Sequence, residues 1–155
     1  MSQESKPPTK RTHLGRAMTG AITPNSLHLQ QCQQCKTVQY PPREVCVSCL
    51  SDDLPWREVD PAGTVQASSQ LHHCLEPYFS ARKPWLMGSV KLDCGPVVLA
   101  HIDPQVCDAG CRVWVLSVAD ASEEAVLTAI AQSIELDQAS ETGRTLIMKE
   151  PVETS

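Results

Sequence analysis

The stretch "QCQQCKTVQYPPREVCVSC" (residues 31–49) holds four of the chain's eight cysteines, spaced as Cys32-x-x-Cys35 and Cys46-x-x-Cys49 with ten residues between the pairs. Each Cys-x-x-Cys turn brings two sulfurs to one side of a tight loop, and two such loops can surround a single ion. Four thiolates in this arrangement suit tetrahedral Zn²⁺ with every coordination position filled by protein. A site closed in this way has no position left for water or substrate, so its role is structural. Pro41 and Pro42 stiffen the spacer. A rubredoxin-like iron site also uses four cysteines in two knuckles. Lys36 and Leu50 stand where rubredoxin knuckles carry glycine, and aromatic cover is thin, so zinc is the preferred metal. Disulfides are the other alternative. They are disfavoured because residues 1–26 carry no apolar, signal-like core and the expected compartment is a reducing cytoplasm.

The rest of the composition sets bounds. The chain has 155 residues, 41% apolar and 20% charged, with a formal charge of −5. A length of this order accommodates one compact domain with a small attachment. The acidic balance argues against nucleic acid or an anionic membrane as the main partner, since both reward dense Lys and Arg. No apolar run is long enough to span a bilayer.

Working outward from the cysteines, residues 1–26 read as a flexible or helical tail, with "LGRAMTGAI" able to form one or two helical turns. Residues 27–58 read as the ribbon, too small to fold without a metal staple. Residues 59–155 read as a strand-rich domain. "GTVQASSQLHHC" (63–74) alternates like a half-buried strand. "PWLMGSVKLD" (84–93) and "PVVLAHID" (96–103) flank Cys94-Gly95 as a hairpin. "CRVWVLSV" (111–118) is a dense core strand, and "TLIMKEP" (145–151) is expected to close the sheet. Between these last two, Asp120 and Glu123 form a capping-box pattern ahead of Val126, Leu127, Ile130, Ala131 and Ile134, which predicts a helix over 123–135. Five strands with long connections suit a Greek-key barrel of the OB type.

Cys74, Cys94, Cys107 and Cys111 do not form a second metal site by spacing, and His72 and His73 point to opposite faces of one strand. His101 lies on an apolar strand and reads as a core or edge histidine. No Gly-rich phosphate loop, GxSxG elbow, HExxH or paired carboxylate is present.

The succession of motifs resembles the acyl-CoA-associated zinc-ribbon/OB-fold proteins. "LHLQQCQQCKTVQYPPREVCVSC" matches their opening strand, first knuckle, Pro41-Pro42-Arg43 and second knuckle. Trp56, Gly63–Val65, the V-x-L-D-x-G pattern of Val90, Leu92, Asp93 and Gly95, and Arg112-Val113-x-Val115 continue it over residues 27–118. The C-terminal end departs from that pattern, with "LIMKEP" in place of Phe-x-Pro.

The resemblance implies a rubredoxin-like ribbon followed by an OB barrel. It also implies a non-catalytic scaffold role beside a thiolase-like or ketoacyl-synthase-like subunit of an acyltransferase or acyl-CoA lyase complex, with acyl-CoA at the interface. In the loop "LEPYFSARKPWLM" (75–87), Tyr78, Phe79 and Trp85 are expected to anchor the partner, and Arg82 with Lys83 to face the CoA phosphates. The alternatives are a single-stranded nucleic-acid-binding module and a rubredoxin-like electron carrier.

Overall fold

The computed structural model describes residues 5–153. The ribbon is a three-stranded antiparallel sheet in the order β2-β1-β3, made of β1 (Leu27–Gln31), β2 (Val38–Gln39) and β3 (Trp56–Val59). Five further strands close a barrel in the order β4-β5-β6-β8-β7, comprising β4 (Ala62–Leu71), β5 (Trp85–Leu92), β6 (Val97–Ile102), β7 (Arg112–Ala119) and β8 (Ala125–Ala131). All ladders of the barrel are antiparallel except β6 with β8, which run parallel at His101↔Thr128 and Ile102↔Ala129. This is the OB-type barrel that the strand pattern anticipated.

The barrel interior is filled by alternate residues of every strand, with Val65, Val90, Leu92, Val98, Ala100, Ile102, Val113, Val115, Leu127 and Ala129 in one buried cluster. Leu27, Leu29 and Val59 of the ribbon sheet belong to that same cluster, so β1 and β3 rest on the barrel rather than beside it. The β5–β6 turn forms where Cys94-Gly95 predicts it, Gly95 taking φ 131°, a conformation only glycine adopts freely.

Two expected elements are corrected. Residues 123–135 do not form a helix. Asp120 does act as a cap, but of a tight turn: its carboxylate accepts from the N–H groups of Ser122 (2.8 Å) and Glu124 (3.1 Å). Glu123 takes φ 61°, and the chain returns as β8, paired with β7 from Ala119↔Ala125 to Val113↔Ala131. The reason lies in two-sided burial. Leu127 and Ala129 fill the barrel, while Ile130 packs outward in a second buried cluster with Leu116, Val118, Ala139 and Ile147. Apolar side chains on both faces erase the period-2 signature of a strand.

The second correction is the closing strand. "TLI" belongs to α3 (Ala139–Ile147), which lies on the outer face of β7 and β8. Gly143 permits that contact, because a Cβ there would sit 2.4 Å from Thr128 Oγ1.

Helix α1 (His13–Gly20) realises the helical turns expected in the tail, with the Thr12 hydroxyl accepting from the Gly15 N–H at 3.1 Å. It is tied to β8 by Thr19, whose hydroxyl lies 2.9 Å from Glu124 Oε2 and accepts from the Ala125 N–H. A four-residue helix, α2 (Pro77–Ser80), sits in the β4–β5 connection. Among the described residues no helix is long and apolar enough to cross a membrane.

Candidate metal centre and the aromatic loop

The two cysteine knuckles are near copies of each other. In the first, the Lys36 N–H donates to the Cys32 carbonyl (2.9 Å) and the Cys32 N–H to the Thr37 carbonyl (2.9 Å). In the second, Leu50 donates to Cys46 (3.1 Å) and Cys46 to Ser51 (2.8 Å). Each knuckle turns on a left-handed residue, Lys36 at φ 65° and Leu50 at φ 63°. These are the two positions where glycine would be relaxed, and both are occupied by residues with side chains.

The four sulfurs all lie within 4.8 Å of one another, with Cys32–Cys49 and Cys35–Cys46 at 3.5 Å. Sulfurs around tetrahedral zinc are about 3.8 Å apart, given the usual Zn–S length. The electrostatics also fit a cation. The backbone N–H of Cys35 holds the Cys32 thiol below its ordinary value, and the Thr37 hydroxyl brings Cys35 down to about 6. The N–H of Ser51 acts on Cys49 in the same direction, but it is outweighed by Cys32, burial, Cys35 and Cys46, which push that thiol up to about 12. The cluster therefore favours ionising some of its thiols and resists ionising all four, unless a positive ion sits among them. Cys32, Cys35, Cys46 and Cys49 are positioned to bind one metal ion.

Behind the second knuckle is a buried glutamine pair that sequence reasoning passed over. Gln39 donates its amide to Gln30 (2.9 Å), Gln30 accepts from the Arg43 N–H (2.9 Å) and donates to the Arg43 carbonyl (3.0 Å). Gln39 also accepts from the Val47 N–H at 3.0 Å. These bonds satisfy the loop leading into Cys46 and fix its height over the sheet. Gln30 looks like a solvent-facing residue in "LQQCQQC", as Gln39 does in "TVQY", and only the pairing of β1 with β2 turns them inward.

The remaining cysteines stay apart from the metal set. Cys94, Cys107 and Cys111 are half-buried and pack against the barrel core. Among the described residues no other group of His, Cys, Asp or Glu is gathered for a metal. Asp93 and Arg112, from separate motifs, meet in a two-pronged pair at 2.8 and 2.6 Å across the end of the barrel. The hydrogen bonds from Arg112 hold the Asp93 carboxyl below its usual range.

The loop expected to meet a partner is arranged differently from that expectation. Tyr78, Arg82 and Trp85 are buried, Phe79 is half-buried, and Lys83 is exposed. The Arg82 guanidinium lies 4.0 Å over the Tyr78 ring. Its Nε donates to the Lys149 carbonyl (2.8 Å), and Nη1 donates to the Tyr78 carbonyl (3.2 Å) and to Ser5 (3.4 Å). Arg82 thus clamps the loop to both ends of the chain. It is not available to a phosphate. Tyr78, Phe79, Trp85 and His101 form a chain of edge-to-face rings with centroids 5.2–5.4 Å apart. The aromatics cover the barrel's own outer wall.

His101 is the most perturbed group outside the metal site. Burial pulls its pKa down to about 4, with the charge of Asp120 opposing and that of Lys149 adding. An unfolded histidine titrates near 6.5, so below that value the unfolded chain binds more protons than the folded one. The stabilisation from neutral His101 is complete above about pH 6.5 and is lost as the pH falls towards 4, amounting to roughly 3 kcal/mol over the window. Thermal midpoints should fall over this range, and His101→Phe should flatten the fall while His72→Phe, at an exposed site, should not. An equally steep decline in His101→Phe would refute the assignment.

Two adjoining family models match this chain: the ChsH2 rubredoxin-like zinc ribbon domain over residues 22–55 and the ChsH2 C-terminal OB-fold domain over residues 56–114. The chain belongs to the ChsH2 family of zinc-ribbon/OB-fold proteins. The metal of the four-cysteine site is accordingly a structural zinc.

A probable enoyl-CoA hydratase alpha subunit of Thermomonospora curvata is 35% identical over 78 residues, which are 49% of this chain and 23% of that protein. The chain therefore spans less than a quarter of the length of this curated relative. Among solved structures, an Ltp2-ChsH2(DUF35) aldolase chain aligns with a TM-score of 0.61 at 22% identity, covering 81% of this chain and 98% of the other. A DUF35-family protein of unknown function from Sulfolobus solfataricus aligns at 0.52 and 15% identity, covering 77% and 86%. At these identities the likeness is one of fold. It reaches beyond the ribbon to the barrel, as the ChsH2 matches do.

Proposed function

We propose that this chain is a non-catalytic accessory subunit of an acyl-CoA-processing enzyme complex, and that its partner is a thiolase-fold acyltransferase or acyl-CoA lyase. The observation that carries the reading is the paired ChsH2 match, ribbon then barrel, on a chain whose metal set is coordinatively closed. Similar proteins are named as an aldolase with Ltp2 and as a probable enoyl-CoA hydratase alpha subunit, and the second name supports acyl-CoA chemistry close by. Zinc cross-links the knuckles and does no more. The ribbon, residues 27–58, and the barrel domain, residues 59–155, then act as one rigid wedge through the shared core of Leu27, Leu29 and Val59.

The barrel surface weighs against the nucleic-acid alternative. Strand-binding OB domains use basic grooves and stacking aromatics. On the outer face of β5 and β6 this chain presents Met87, Ser89, Val97 and Leu99, with Lys91 as the one cation, while Tyr78 and Trp85 are buried.

The test is co-expression with thiolase-fold and acyl-CoA lyase subunits of the same genome. The subunit should co-elute with one of them, and turnover of an acyl-CoA substrate should require both chains. Purified alone, the chain should turn over no acyl-CoA. Thioester cleavage by the isolated chain, or an enzyme equally active and stable without it, would overturn the reading.

A further inference from the structure

Strand β4 is paired on one side only over its second half. It follows β5 from Ala67↔Ser89 to Leu71↔Trp85, whereas its ladder with β7 ends at Thr64↔Arg112. Val65 makes the last backbone bonds on that side, accepting from Gly110 (2.8 Å) and donating to Cys111 (2.9 Å). From Gln66 to Leu71 every residue is exposed. Proteins ordinarily blunt such an edge with lysine, proline or an inward charge. Here none of these three does so, for no Asp, Glu, Lys or Arg stands between Asp60 and Glu76, and Pro61 precedes the strand. The edge is bordered instead by a bulge between Val65 and Ala67 and by one side-chain bond, from the Ser68 hydroxyl to the Cys107 carbonyl (2.7 Å), which leaves the backbone groups beyond it unpaired.

The outer face beside this edge carries no Asp, Glu, Lys or Arg in its two nearest rows either, and it exposes apolar side chains. Strand register puts Ala67, Ser89 and Leu99 in one row and Ser69, Met87 and His101 in the next. Leu99 is 63% exposed and Leu75, just past the strand, is 90% exposed. At the end of these rows opens a cleft of about 230 Å³ lined by Leu71, Cys74, Phe79, Trp85, Met87 and His101.

We propose that the open edge of β4 is the docking site for the enzyme partner: an extended, uncharged segment of that partner pairs alongside Gln66–Leu71 and seats one large apolar side chain in the cleft. This rests on the accessory-subunit reading. A free strand edge is satisfied by another extended backbone, with side-chain pockets supplying the selectivity. An edge without charge offers an ionic segment nothing to pair with, so the incoming strand loses least when it is neutral. The cleft has the character of an anchor pocket, where aromatic or aliphatic residues dominate binding. A second copy of this chain would bring together two molecules of formal charge −5 and is the poorer electrostatic match.

The experiment uses the complex of the full-length chain and the acyl-CoA enzyme that co-elutes with it. Ser69→Lys with Leu71→Lys, both at exposed positions, should leave zinc content and thermal midpoint unchanged and weaken the complex at least tenfold in sedimentation velocity. On the wild-type complex, amide exchange should slow at Gln66–Leu71. A lysine variant that binds as tightly as wild type, or an edge whose exchange is the same in the complex as in the free chain, overturns the docking site while leaving the accessory reading intact. A wild-type chain that forms no complex removes both. A wild-type homodimer split by the lysines would assign the edge to a second copy and overturn the assignment to the enzyme.

Discussion

Replacing Cys46 by serine should release the metal and unfold residues 32–53 while leaving β1 and β3 docked on the barrel. Metal binding to structural zinc sites contributes on the order of 10 kcal/mol or more to modules with no sufficient core of their own. The knuckle region fits that description. Between Cys32 and Asp53 only Cys32, Gln39 and Cys46 are buried, two of them metal ligands and the third a hydrogen-bonding amide. Without the ion the loops keep a few backbone bonds and two strained left-handed residues, Lys36 and Leu50, that oppose the fold.

β1 and β3 stand on different ground. Leu27 and Leu29 are fully buried in the barrel cluster, and four residue pairs from Leu27↔Val59 to Gln30↔Trp56 join the two strands. Amide exchange in Cys46→Ser should therefore rise steeply over 32–53 and little at Leu27 and Leu29. Metal analysis should fall from one zinc per chain to near none. A variant that keeps stoichiometric zinc, or one whose barrel melts together with the ribbon, would contradict this division.

What could be read without a structure follows from how local each signal is. The knuckles are set by residues three apart, so spacing alone identified them. Their left-handed turns carry lysine and leucine, and no residue type announced them. The β5–β6 hairpin was legible because Gly95 marks its own turn. β8 was not, because its two faces meet different cores and its alternation vanished: Leu127 faces the barrel and Ile130 faces α3. α3 was hidden behind Gly143, which reads as a breaker but serves as a point of close approach to Thr128.

The family motifs around Asp93 and Arg112 gave the positions of two surface residues. Their two-pronged pair is visible only when β5 and β7 are brought to either side of β4. The burial of Tyr78, Arg82 and Trp85 in the loop of residues 75–87 was hidden for the most general reason. Its burial depends on Ser5 and Lys149, residues 77 and 67 positions away from Arg82, and no window on the sequence reaches so far.

That long-range clamp makes Arg82→Glu the second change with a large expected effect, and it separates two residues that adjoin in sequence. Arg82 is 7% exposed and every hydrogen bond it makes is to an oxygen: the carbonyls of Lys149 and Tyr78, and the hydroxyl of Ser5. A carboxylate in its place would face the two carbonyls with no proton to offer them, beside the electron-rich face of Tyr78. Leaving buried charge-assisted acceptors without their donor costs about 1.5–3 kcal/mol per bond at the upper end of measured values. Burying a carboxylate with no donor or cation beside it adds to that cost. The thermal midpoint should drop by roughly 10 °C, given the usual sensitivity of domains of this size.

The C-terminal tail should loosen at the same time, since Val152 donates to the Ala81 carbonyl (2.8 Å) one residue from the lost clamp. Arg82→Lys should recover part of the loss, because an ammonium can serve one or two of the acceptors but cannot stack as a planar fork on Tyr78. Lys83→Glu, next in the chain and exposed, should leave the midpoint within a degree or two of wild type. Zinc content should be unchanged in all three, since the clamp and the knuckles share no residue. If Arg82→Glu melted like Lys83→Glu, the loop would have to be free of both chain ends, and Arg82 would again be available to a phosphate.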